Sequence, residues 1–323
     1  MTWNSKLFAV LLGLTAASLT CGAYAQQDKP IHMIVGFPAG GPTDNVARPL
    51  AQQMSKELNR TVVIEYKAGA NGNIAASYVA RAPADGSVLF FSSVGAIAIS
   101  GALYRDLPYN PTKAFAPISL LVSNSSILMV NAANPARDAA EFIRNAQMAS
   151  RPSPIASTGV GSIPHMALAL FQDSTKANVV HVPYKGAAPA VVDIMGGHVD
   201  ALFADAPAVM AQVNAKKLKA LGVAGPTRLP LFPDTPTLAE QGIKGVESNN
   251  WYALLAPAGT PQKVVDAINA AARKALATPS VKDTLIGLGT VPIGSTPEDL
   301  AAVITADTAK WSAIVKANNM VGE

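Results

Sequence analysis

From residue 31 onward, short apolar runs alternate with stretches whose apolar residues recur at helical spacing. Ile31 to Val35 is a run of strand length that stops at Gly36-Phe37-Pro38-Ala39-Gly40-Gly41-Pro42-Thr43-Asp44. Behind that turn Val46, Leu50, Met54 and Leu58 recur at every fourth residue, which is one stripe of a helix. Pro49 lies inside the stripe. It has no amide donor and its ring crowds the carbonyl of Asn45, so it predicts a kink or a late regular start. A strand over Thr61 to Glu65, a Gly/Asn loop over Gly69 to Asn73, a short Ala-rich helix and a strand over Ser87 to Ser92 follow. This βαβαβ order predicts a parallel sheet with helices on both faces.

The pattern then restarts. Ile155 to Ser157 runs into Thr158-Gly159-Val160-Gly161-Ser162 and an apolar helix reaching Phe171. Val179 to Val182 is a strand ending at Pro183-Tyr184-Lys185-Gly186, and a helix over Pro189 to Met195 is closed by Gly196-Gly197. Strands over Val199 to Ala204 and Leu218 to Val223 follow, then an extended apolar stretch from Ser248 to Ala256. The tail is helical, with entries at Thr260-Pro261, Thr278-Pro279 and Thr296-Pro297. Thr before Pro is the expected pairing of an N-cap with a first helical residue. Val264, Ile268 and Leu276, then Leu300, Ile304 and Trp311, are the expected inward positions. Two α/β sheets in one chain predict two domains.

The N-terminus reads differently. Lys6 precedes an apolar stretch from Leu7 to Leu14, and Ala23-Tyr24-Ala25 fits the small-x-small cleavage rule of an export signal. The stretch is too short for a membrane span, which needs roughly 20 apolar residues. Cys21 is the single cysteine, but Ser18 and Thr20 flank it where a lipid-attachment site needs an aliphatic and a small residue. Cleavage after Ala25 and a soluble, exported product are therefore expected. A mature chain without cysteine has no disulfide, thiolate metal site or Cys nucleophile.

Composition narrows the function classes. The 323 residues are 50% hydrophobic and only 14% charged, which excludes a disordered chain and a charged coiled coil. The net charge of +4 is small, and Lys216-Lys217-Leu218-Lys219 is the densest basic run. A nucleic-acid footprint needs a basic stripe with stacking aromatics, so no nucleic-acid partner is expected. No G-x-S-x-G elbow supports a Ser–His–Asp triad, and Gly161-Ser162-Ile163-Pro164 begins like one and then fails. His198-Val199-Asp200 lacks further ligands at zinc-like spacing. No Walker lysine follows Gly40-Gly41, and Pro164 stands where a dinucleotide fingerprint needs its third glycine. No catalytic residue, metal or cofactor is therefore expected.

What remains is three strand–turn–helix junctions rich in Gly, Ser and Thr: Phe37 to Asp44, Thr158 to Ser162, and Tyr184 to Ala188. Each can aim free amide donors at an anion, aided by the helix dipole. Three of them over two α/β units favour a cleft that clasps a small anion. Lys185 is the one full positive charge in the three loops, and Asp44 brings a negative one.

At these loops the chain resembles the Bug, or TctC-like, family, the extracytoplasmic solute receptors of tripartite tricarboxylate transporters. The resemblance is carried by Gly36 to Arg48, by His181-Val182-Pro183-Tyr184-Lys185-Gly186-Ala187-Ala188-Pro189-Ala190, and by Thr158 to His165. Pro233 to Thr237 and Ala256 to Pro261 are similar to further family stretches. Lys67, Ala68 and Asn71 depart from the usual Arg, Pro and Gly of one loop, and Pro49 interrupts a helix that is usually uninterrupted.

The resemblance implies a type II periplasmic binding protein, a Venus flytrap of two α/β domains with the ligand cleft between them. Domain 1 would be discontinuous, residues 26–123 and 249–323, and domain 2 residues 124–248. Ile118 to Val130 would be the outward crossing and Val246 to Ala256 the return. The family's carboxylate site maps to Phe37, Ala39, Gly40, Thr43 and Asp44. Thr158, Gly161, Ser162 and His165 would lie opposite, with Tyr184, Gly186, Ala187 and Ala188, and with Ser92, Ser93 and Asp205 at the margin. The implied function is capture of a small carboxylate (a di- or tricarboxylate, acidic amino acid or aromatic acid) for membrane permease subunits, by a monomer that is not an enzyme. A secreted α/β hydrolase and a ligand-sensing partner of a signalling system are the alternatives.

Overall fold

The computed structural model describes residues 29–322. The expected export signal, its expected cleavage site and Cys21 lie outside the described residues. The first unit runs β1 (Ile31–Val35), α1 (Pro42–Leu58), β2 (Val62–Tyr66), α2 (Asn73–Val79) and β3 (Val88–Ser93). Strand β1 pairs in parallel with both β2 and β3, as the βαβαβ order predicts. Helix α1 starts at Pro42 and passes through Pro49 to Leu58, so the late start expected from Pro49 does not occur. Pro42 occupies the first turn, where its missing amide costs nothing, and Val46, Leu50 and Met54 are fully buried on the sheet. That buried stripe outweighs the single hydrogen bond lost at Pro49.

After β3 the chain makes a turn of wide, π-type helix (Gly95–Ile99), a short α3 (Ser100–Leu103), and enters the long β4 (Phe115–Asn131). The second unit is α4 (Ala139–Met148), β5 (Ser153–Ser157), α5 (Ile163–Thr175), β6 (Val179–Pro183), α6 (Ala187–Gly196), β7 (Ala201–Asp205), α7 (Ala206–Asn214) and β8 (Leu218–Ala224). The chain returns through β9 (Asn249–Pro257) and ends in α8 (Gln262–Ala277), α9 (Pro279–Gly287), the two-residue β10 (Val291–Pro292) and α10 (Pro297–Ala317). Thr296 closes a capping box with Asp299 at the start of α10, as its Thr-Pro entry predicts.

The strands form one hydrogen-bonded path, β2-β1-β3-β9-β4-β7-β5-β6, with β8 and β10 also on β4. Pairing is parallel within β1–β3 and β5–β7, but the long crossings β4 and β9 run antiparallel to their neighbours. Strand β4 changes partners along its length. Up to Ser125 it pairs with β9, and from Ser126 with β7 and β8. Each half of the sheet is covered on both faces by its own apolar clusters. The C-terminal helices pack on the first half, where Trp311 and Leu300 are fully buried against the β3 side.

Candidate functional site

The ends of β1, β5 and β6 each lead through a short loop into a helix, and these loops meet around one cavity of about 300 Å³. Phe37, Ala39, Gly40 and Thr43 line it from the first half; Thr158, Ser162, Gly186, Ala187 and Ala188 line it from the second; Ser93 and Asp205 complete the set of expected residues found there. Lys185 also lines it. The loops after β5 and β6 are held side by side, since the Tyr184 amide donates to the Ser157 carbonyl (3.2 Å) and the Gly186 amide to the Thr158 carbonyl (3.2 Å).

Of the three helices that follow these loops, two open onto the cavity without a side-chain cap; α7, which follows β7 at Asp205 and lines the cavity with Ala208, is uncapped as well. Helix α1 is preceded by Gly41 and α6 by Gly186, and neither glycine offers an acceptor to the first turn. First-turn amides have no partner inside their own helix. Those near Thr43, Ala187 and Ala188 therefore present donors and the positive ends of two helix dipoles to the same space. Helix α5 differs: Ser162 accepts from the His165 amide (3.3 Å) and so caps its own helix.

Five expected residues stand behind the wall. Asp44 is fully buried and accepts from the Gly40 amide (2.7 Å), the Tyr66 hydroxyl (2.7 Å) and the Arg48 guanidinium (2.9 Å). Burial pushes its carboxyl up, but these three donors outweigh it and hold the group below the usual carboxylate range. The Gly40 amide is thereby committed to Asp44, and Gly40 has φ +76, a conformation that favours glycine. Ser92 neighbours Ser93 in β3, and successive strand residues point to opposite faces, so only Ser93 reaches the cavity. Tyr184 donates to Asp193 (2.6 Å). Gly161 faces away from the ligand space: a side chain there would fall on Leu103, its amide donates to His165 Nδ1 (3.1 Å), and its carbonyl accepts from Asn71 Nδ2 (2.6 Å). This last bond spans the cleft between the halves.

His165 is the fifth. Its ring stacks on His181, centroids 4.0 Å apart and 11° from parallel, and His181 Nε2 meets the Ser157 hydroxyl at 2.6 Å. Burial, with the neighbouring His181 adding to it, pushes His165 down to about 3, and burial pushes His181 down to about 4. Both rings are neutral near pH 7. Below the ordinary histidine value of about 6.5 the unfolded chain takes up protons that the folded pair refuses, so this pair's contribution to stability is lost as pH falls. Asp205 acts the other way: burial pushes its carboxyl up to about 6, and its contribution is lost as pH rises through that value. Two histidines against one carboxyl leave a net loss on acidification. Urea midpoints at pH 7 and pH 4.5 check this. Replacing both histidines with Gln should shrink the loss by up to about 5 kcal/mol, about half of it from each ring; an unchanged loss would contradict it.

Asn71, Asn250 and Tyr252 line the cavity without having been expected there. Asn250 and Tyr252 alternate in β9 and so share a face, a signal legible only once β9 is known to floor the cleft. Asn71 sits in the Gly/Asn loop with φ 53, where asparagine is tolerated. Among the described residues no group of three or more His, Cys, Asp or Glu gathers, and no helix is long and apolar enough to cross a membrane.

Two α/β halves joined by antiparallel crossings, with a loop-lined cleft at the join, define the molecule as a binding protein of the periplasmic type II class. The comparisons narrow the class. The sequence model of the tripartite tricarboxylate transporter family receptor, TctC, matches residues 46–320, and the chain belongs to this family. It is 33% identical to Protein BugT of Bordetella pertussis over 97% of both chains. It superposes on Rhodopseudomonas palustris Rpa4515, solved with adipate, at a TM-score of 0.86 and 31% identity, covering 90% of this chain and 98% of that one. Against MatC of the same organism, solved with bound malate, the TM-score is 0.82 and the identity 32%, covering 88% and 98%.

Proposed function

We propose that this protein captures a small carboxylate in the periplasm and delivers it to the membrane permease subunits of a tripartite tricarboxylate transporter. The observation that carries the reading is the pair of uncapped helix N-termini, α1 and α6, opening from opposite sides onto one 300 Å³ cavity. An anion at such a site gains hydrogen bonds from fixed amides and the favourable ends of both dipoles. The relatives solved with adipate and malate support a carboxylate as the anion.

In this reading residues 26–123 and 249–323 move as one domain and 124–248 as the other. The mature protein starts at Gln26, acts as a monomer and performs no catalysis. Ala39, Thr43, Thr158, Ala187 and Ala188 hold the ligand, with Phe37, Gly40, Ser93, Ser162 and Gly186 shaping the walls. Asp44, Ser92, Gly161, His165 and Tyr184 support the loops from behind.

Thermal-shift screening of small carboxylates, followed by calorimetry on those that stabilise the protein, tests the function. A ligand that binds only the folded state raises the melting temperature by mass action. If no carboxylate does so and chromogenic esters are turned over, the secreted-hydrolase alternative takes its place.

Lys185 is the sole cation among the described residues lining the cavity, and it is solvent-exposed. An exposed charge of this kind contributes about 0–1 kcal/mol. Lys185→Ala should therefore weaken binding by about 2- to 5-fold, measured by calorimetry at low and moderate salt. Complete loss of binding in this variant would move recognition from the backbone to the side chain.

A further inference from the structure

The floor of the cleft carries polar groups to which the carboxylate reading assigns no task. Asn124 of β4 stands directly opposite Asn250 of β9, and Ser126 of β4 directly opposite Asp205 of β7. Opposed residues point to the same side of a sheet, and alternate residues share a face. Asn124, Ser126, Asp205, Asn250 and Tyr252 therefore form one polar strip across the join of the two halves. Asp205, Asn250 and Tyr252 line the cavity itself.

Asp205 is the sole acid among the described lining residues and is 7% exposed. Its oxygens accept from Asn250 Nδ2 (2.6 Å) and Ser126 Oγ (3.1 Å). A carboxylate offers about four acceptor positions, so two remain. Asp205 also stands at the N-cap of α7 but does not bond that helix's first turn, so capping does not account for it. Asn124 is 2% exposed; the Tyr252 hydroxyl faces it, yet neither Nδ2 nor Oδ1 makes a well-formed hydrogen bond. Buried polar groups in this condition call for an explanation. The cleft is thus two-sided: donors and Lys185 on the walls, acceptors on the floor.

We infer that the floor is a second polar subsite, in which Asp205, held by Asn250 and Ser126, accepts a hydrogen bond from a hydroxyl or ammonium group carried by the bound acid. Asp205 then sets specificity, and the substrate class is a hydroxy- or amino-substituted carboxylate. This rests on the carboxylate reading above and goes beyond it. A site built to pair with a donor disfavours the analogue that lacks it, because the buried acceptor is left unpaired.

The test is calorimetry of the exported protein with trios of acids that differ at one carbon in bearing hydroxyl, ammonium or hydrogen. Malate, aspartate and succinate form one trio; 2-hydroxyglutarate, glutamate and glutarate a second; lactate, alanine and propionate a third. In a trio that binds, the hydroxy or the amino acid should bind at least about tenfold tighter than the unsubstituted acid. Which of the two wins identifies the donor. In Asp205→Asn, whose one remaining oxygen is taken up by Asn250, that preference should fall below about threefold, and the unsubstituted acid, relieved of a nearby negative charge, should bind no more weakly than to the wild type. Equal affinities within every binding trio, or a preference intact in Asp205→Asn, would overturn the inference and leave the carboxylate reading standing. If no acid of any trio binds while another carboxylate of the thermal-shift screen does, the inference is overturned and the carboxylate reading stands; if no carboxylate binds at all, both fall. Because Asp205 bridges the two halves, failure of the variant to fold leaves the wild-type trios as the deciding measurement.

Discussion

Asp44→Ala should cost about 3 kcal/mol of stability and about 100-fold in ligand affinity, although the side chain touches no ligand. The carboxylate accepts from the Gly40 amide, Tyr66 and Arg48, and so ties the turn after β1 to the first turn of α1 and to β2. Without it the Gly40 amide loses its partner. The left-handed turn at Gly40, φ +76, is then free to relax, and the donors near Ala39 and Thr43 lose their aim. Donor placement matters to a fraction of an ångström in a cradle of this kind. Asp44→Asn, which keeps one acceptor oxygen, should lose less than Asp44→Ala on both measures. Its acid behaviour follows from sign: the native carboxyl lies below the usual range, so its contribution is complete near neutral pH and is lost as pH falls through that lowered value. Urea denaturation and calorimetry on the two variants check the expectation. A destabilised Asp44→Ala that binds ligand normally would show that the turn needs no such anchor.

Much of this architecture is legible in the chain because each local signal agrees with the global fold. Ile31 to Val35 is bounded by a Gly/Pro turn and reads directly as β1, and the three Thr-Pro entries place α8, α9 and α10 to within two residues. The elements that escape sequence reading are those whose pattern is set by non-local packing. Ala206–Asn214 follows β7 without a turn, so the apolar run reads as strand alone, and Ala139–Met148 is short, with only Ala139, Phe142 and Ala146 buried. The antiparallel course of β4 and β9 is not encoded in their apolar runs; it follows from the chain leaving one half of the sheet and returning to it.

The site divides in the same way. Its loops are visible as Gly-rich junctions, but which atoms face the cavity is decided by tertiary bonds. Asp44 and Gly161 are spent on the scaffold, and His165 turns onto His181 rather than outward. Asn250 and Tyr252 enter from a strand about 60 residues beyond the last loop, a juxtaposition that only the folded sheet creates.

The second large effect concerns the ligand itself, and it bears on the central claim that the cleft reads a carboxylate through backbone donors. The walls offer amides of two uncapped first turns, one exposed lysine and no arginine among the described lining residues. Charge-assisted hydrogen bonds contribute about 1.5–3 kcal/mol each, and a helix end about 0.3–1 kcal/mol, up to about 2 where partly buried. A neutral amide in place of the carboxylate keeps the shape, forfeits the charge and turns an acceptor into a donor that faces other donors. Calorimetry of the tightest-binding acid against its primary amide, on the wild-type protein at neutral pH, measures this in one comparison. The account predicts that the amide binds at least about 100-fold more weakly; an amide that binds as well as the acid would contradict it.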